Sequence, residues 1–183
     1  IYASVDSSLA SFTFDYAGIS TDRCWVSPNG YITFDRGDGE YHETLAIHFS
    51  KMRISGLLHD LDPRFGGYVH VGVGPAGSFV ATWHQVPSYS DTSRLNTVQI
   101  QLHPNNAITI VWLGVQAPHA IVELSDGNGV PSDFLETDYS LAHGCELHPS
   151  QEDCNANGIC EGESCLPNGA GCGGPNECCS SVC

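Results

Sequence analysis

Apolar and polar residues alternate in short runs over the first three quarters of the chain, and turn-forming residues break those runs. Ser11 to Tyr16 carries aromatics on one face, and Asn96 to Leu102 alternates as a half-buried antiparallel strand does. Cys24 to Ser27 and Tyr31 to Phe34 flank Pro28-Asn29-Gly30, where Asn-Gly tolerates the positive φ of a hairpin turn. Further strands are expected at Tyr68 to Val73, Phe79 to Val86, Ala107 to Trp112 and Ala120 to Leu124, with Pro87 ending the second of these. Only residues 43–53 offer a helical candidate, and their periodicity is poor.

Short strands at hairpin spacing predict an all-β fold, an antiparallel two-sheet sandwich-like domain over residues 1–140. No recurring helices separate the strands, which excludes a parallel α/β sheet. From residue 141 the strand signal stops, and glycine, asparagine and cysteine dominate to residue 183. This second segment is expected to be a small disulfide-rich C-terminal appendage.

Of the 9 cysteines, all but Cys24 fall between Cys145 and Cys183. No paired C-x-x-C knuckle has zinc spacing, so that density reads as disulfides and an exported protein. For Cys24 three states are open: a small buried hydrophobe, a bond to Cys145, or a bond to another chain. The chain starts at Ile1 without a basic-then-apolar leader, so export implies a signal peptide already removed. No run of apolar residues is long enough for a membrane span.

The formal net charge is -15, with 6 basic against 21 acidic residues, and no Lys or Arg follows Arg94. Such a balance argues against nucleic acid and anionic membranes as partners. It suits cations, a basic partner or plain solubility.

Asp153, Asn155, Asn157, the Ile159 carbonyl and Glu161 stand at the spacing of the first ligands of a calcium loop, with Gly158 at the sharp turn and Glu163 nearby. Ser164 occupies the place of the bidentate glutamate of an EF-hand. Calcium is therefore the expected cofactor, against a simple Asn/Gly turn. A second candidate lies at His59-Asp60-Leu61-Asp62-Pro63-Arg64, where Asp60 and Asp62 offer metal ligands, a turn cap or a pair of catalytic acids. The 9 histidines look scattered, with no H-E-x-x-H and no nucleophile elbow. Trp25, Trp83 and Trp112 sit in strand-like runs and read as core before sugar platforms.

Trp25 to Phe34, Gly56 to Pro63 and Gly67 to Val71 follow one another in an order that resembles the nidogen-like (NIDO) extracellular domain and related bacterial cell-surface β-modules. The resemblance covers roughly residues 10–140. It departs at Leu57-Leu58-His59, where the family has an aromatic and an acidic residue. The Asp153 to Glu161 loop resembles the calcium repeats of thrombospondin type 3 and dockerin-like tails. The spacing from Cys165 to Cys183 resembles the first part of a cystine-knot miniprotein, which would imply Cys165–Cys179 and Cys172–Cys183 pairs.

These resemblances imply a non-catalytic secreted or cell-surface module for adhesion, matrix or surface assembly. Its expected partners are further copies in an oligomer or polymer, an extracellular glycan or a matrix protein, without membrane insertion. A carbohydrate-binding module and a secreted hydrolase using Asp60 and Asp62 are the alternatives.

Overall fold

The computed structural model describes residues 5–9 and 12–138. Among the described residues, eleven strands form three antiparallel sheets. The five-stranded sheet runs β1 (Val5–Ser8), β4 (Arg23–Ser27), β5 (Tyr31–Thr33), β6 (Met52–Leu58), β11 (Ile121–Asp126). The four-stranded sheet runs β10 (Ile108–Gly114), β9 (Leu95–Leu102), β8 (Phe79–Pro87), β7 (Tyr68–Val73). The third is a hairpin of β2 (Phe14–Tyr16) and β3 (Ile19–Thr21).

The two large sheets share one core. Val26, Ile32 and Ile54 from the first meet Phe79, Ala81, Trp83, Val98, Ile100 and Leu102 from the second. Two indoles cross between the sheets: Trp83 Nε1 donates to Ser27 O at 2.9 Å and Trp112 Nε1 to Gly56 O at 2.8 Å. Gly56 makes the approach possible, because a Cβ there would lie 2.9 Å from Ile100 Cγ1. The Asn29-Gly30 turn forms as the sequence predicts, with Ser27 opposite Tyr31.

Over β5 and β6 the outer face of the five-stranded sheet is covered. The segment between β5 and β6, including the four-residue helix α1 (Leu45–His48), lies over it. Arg53, fully buried, ion-pairs with Asp38 and stacks its guanidinium 4.5 Å from the centre of the Tyr31 ring. His48 Nδ1 meets Ser55 Oγ at 3.0 Å, and the Tyr31 hydroxyl donates to Glu40 O at 3.1 Å. Strand β6 is buried on both faces, so it lacks the alternation that marks a half-buried strand. That is why Met52 and Arg53 read as the end of a helix candidate; the helix is a single turn capped by Thr44.

Two fold expectations are corrected. The body has three sheets where a two-sheet sandwich is predicted, because β2 and β3 pair only with each other. Phe14 and Tyr16 stack on Phe34, and the Tyr16 hydroxyl lies 3.0 Å from Arg53 O, so side chains dock the hairpin without a shared ladder. The disulfide-rich appendage finds no support: among the described residues no disulfide occurs, and Cys24 sits fully buried in the hydrophobic core. Packing and ladders hold this body together, without crosslinks within it. The eight cysteines from Cys145 onward, with Asp153, Asn155, Asn157, Ile159, Glu161 and Glu163, lie outside the described residues.

Candidate metal-binding corner

The most concentrated polar chemistry lies where the chain leaves β6 and crosses toward the four-stranded sheet. Residues 60–62 run beside 87–89: Leu61 and Ser88 form an isolated bridge, Asp62 N donates to Pro87 O at 2.9 Å and Tyr89 N to Asp60 O at 2.8 Å. Asn29 Oδ1 accepts from Leu61 N at 3.1 Å, so the Asn-Gly turn also anchors this segment. Residue 59 is thereby fixed at the junction of both sheets.

His59 is 3% exposed. Its Nε2 meets Ser88 Oγ at 2.8 Å, and its Nδ1 lies against Glu43 Oε1 without hydrogen-bond alignment. Burial pushes the imidazole below the usual histidine range, and the Glu43 carboxylate partly opposes that shift. Glu43 Oε2 lies 3.3 Å from Nδ1 of His119, whose side chain is 69% exposed. The two imidazoles meet edge to face at 5.8 Å. Buried Asn96 positions the His119 loop, since its Oδ1 accepts from Gln116 N at 2.9 Å and Ala117 N at 2.8 Å. Asn96 Nδ2 in turn reaches Ser88 Oγ at 3.4 Å.

Glu43, His59 and His119 thus bring one carboxylate oxygen and two imidazole nitrogens within 4.8 Å of one another, an arrangement that can hold a metal ion. This cluster is not the calcium site expected from the sequence, whose loop from Asp153 to Glu163 lies outside the described residues, and its donors differ in kind. Calcium takes six to eight oxygens, whereas imidazole suits zinc, copper, iron or nickel.

Asp60 and Asp62 flank this corner differently. Both carboxylate oxygens of Asp62 are taken by Arg64, which holds the carboxyl below its usual range. Burial lifts the Asp60 carboxyl above its usual range. Glu43, His59 and Ser88 fall in the order acid, imidazole, hydroxyl, yet Ser88 has no exposed surface and cannot meet a substrate. Trp83 is core, and the exposed part of Trp112 belongs to a ring whose N–H is already used.

His59 falls within a segment that the sequence singles out; Glu43 and His119 carry no local signal at all. They stand in separate loops, and only the closure of both sheets brings them to one corner.

The fold and this corner define an all-β antiparallel sandwich module with a compact side-chain cluster at one corner. A family model described as NIDO related matches residues 4–143, and the chain belongs to that family. No curated protein and no solved structure matches it. The match ends at residue 143, so the likeness of the tail to thrombospondin type 3, dockerin or cystine-knot proteins has no counterpart in it.

Proposed function

We propose that this chain is a non-catalytic extracellular structural module whose work is adhesion or surface assembly through association with further copies of itself. The observation that carries the reading is the margin of the four-stranded sheet at β7. Val69, Val71 and Val73 pair with Trp83, Ala81 and Phe79, so all three point to the core side of the sheet. Only Val69 packs into the core; Val71 is 37% and Val73 66% exposed. The apolar face therefore overhangs the opposing sheet, next to a strand edge whose outward N–H and C=O groups have no neighbouring strand among the described residues.

Such an edge pairs readily with another strand. Antiparallel pairing of β7 with β7 of a second copy about a two-fold axis would join two four-stranded sheets and cover both valines. Family membership supports an exported setting, and no helix among the described residues is long and apolar enough to cross a membrane. The glycan and hydrolase alternatives are less well supported, given a buried Trp83 and an Asp62 occupied by Arg64.

Sedimentation of the full chain over a wide concentration range tests the reading. A reversible dimer that Val73→Lys converts to monomer is expected. A monomer throughout, or a dimer indifferent to Val73→Lys, overturns it.

A further inference from the structure

We propose that Glu43, His59 and His119 form a binding site for a divalent transition-metal ion of the zinc class, with the carboxylate and the two Nδ1 atoms as its ligands. The site stands independently of the assembly reading. Its three donor atoms already lie within 4.8 Å of one another. Tetrahedral coordination at metal–nitrogen distances of about 2.0 Å separates donors by roughly 3.3 Å, so small side-chain rotations complete it.

The independent observation is at His59. Its Nδ1 is buried and faces the Glu43 carboxylate at contact distance as an ion pair, without the alignment of a regular hydrogen bond. Ser88 Oγ, held beside Asn96 Nδ2, engages the other ring nitrogen. In the tautomer whose Nε2–H donates to Ser88 Oγ, Nδ1 keeps its lone pair beside the Glu43 anion. Two electron-rich atoms in contact at a buried corner are costly unless a cation lies between them. A hydrogen-bonded second nitrogen that fixes ring orientation is also how metal-binding histidines are held.

The two imidazoles favour zinc-class ions over calcium or magnesium. Three protein ligands leave a fourth position, which opens toward solvent beside His119. The ion would tie together three segments: the approach to α1, the end of β6 and the β10–β11 connection. The competing state is the other tautomer, a neutral imidazole with Nδ1–H donating to Glu43 and the Ser88 hydroxyl donating to Nε2.

The test uses the full chain, stripped with chelator and with free thiols alkylated so that the tail cysteines do not compete. Titration with zinc alone and calcium alone is followed by calorimetry and by Tm. One equivalent of zinc that raises Tm, with no response to calcium, is expected. His119→Ala, at an exposed position that leaves the fold intact, and Glu43→Gln should each weaken zinc binding by about tenfold or more. Cobalt substitution should give a visible spectrum free of thiolate charge-transfer bands. Failure to bind zinc, zinc binding unchanged in both variants, or an equal response to calcium overturns the proposal.

Discussion

The indole N–H of Trp83 donates to the carbonyl of Ser27 at 2.9 Å, linking β8 in one sheet to β4 in the other. Both residues are fully buried, so water cannot replace the bond. Trp83→Phe removes the donor and part of the ring while leaving an apolar core. A loss of about 2–4 kcal/mol is expected from the lost hydrogen bond and the residual cavity. Urea unfolding of wild type and variant measures it, with an unchanged m-value showing that the fold survives.

Arg53 and Asp38 form the buried ion pair beneath the β5–β6 connection. Arg53 Nε has no partner, so the guanidinium depends on Asp38, the Tyr31 ring and the Ile47 carbonyl. Asp38→Ala should cost about 3–5 kcal/mol, because it strands a buried cation. Burial alone would raise the Asp38 carboxyl, but Lys51 and Arg53 outweigh it and hold the group below its usual value. A folded pKa below the unfolded one means stability is present above the unfolded pKa of about 4 and is lost as pH falls through the folded value. Acid unfolding of Asp38→Ala should therefore lack that part of the wild-type transition.

His48 gives a separate acid limb. Burial, then the nearby Arg53 charge, lowers its pKa to about 4. Between about pH 6.5 and 4 the unfolded chain binds a proton that the folded chain refuses, so stability falls as pH falls across that window. The contribution reaches at most about 3 kcal/mol. His48→Gln keeps a polar partner for Ser55 and should flatten this limb, as seen in denaturation midpoints at pH 7 and 4.5.

Gly30 has φ +81°, and a Cβ there would lie 2.0 Å from the Leu57 carbonyl oxygen. The Gly30 carbonyl meanwhile accepts from Gly56 N and Leu57 N. The β4–β5 turn is thus packed directly against β6. Gly30→Ala should cost more than the roughly 1 kcal/mol of an ordinary positive-φ glycine, since backbone must move. A thermal melt of Gly30→Ala beside Gly18→Ala separates the two effects: Gly18 also has positive φ but nothing within 4 Å of its Cβ position.

Much of the four-stranded sheet was readable from local pattern. Phe79 to Val86 and Asn96 to Leu102 lie within one residue of β8 and β9, and Pro87 ends β8 as its missing N–H dictates. Asn29-Gly30 announced its turn because the left-handed backbone is a property of those residues themselves. Strand β6 was hidden for the opposite reason: burial on both faces erases period-two alternation, and Arg53 inside it looks like a surface residue until Asp38 and Tyr31 are placed around it.

What the sequence by itself determined is a β-rich body with its turns, a change of character near residue 140, and an acidic, cation-tolerant surface. Each of these follows from backbone preference, period or composition, all of which act over a few residues. Tertiary structure alone decided that the β2–β3 hairpin docks by side chains as a third sheet. It alone also decided that Glu43, His59 and His119 meet. Their donor atoms converge because loops from three distant stretches are pinned by Ser88, Asn96 and the 60–62 crossing, and no short-range spacing encodes such a meeting.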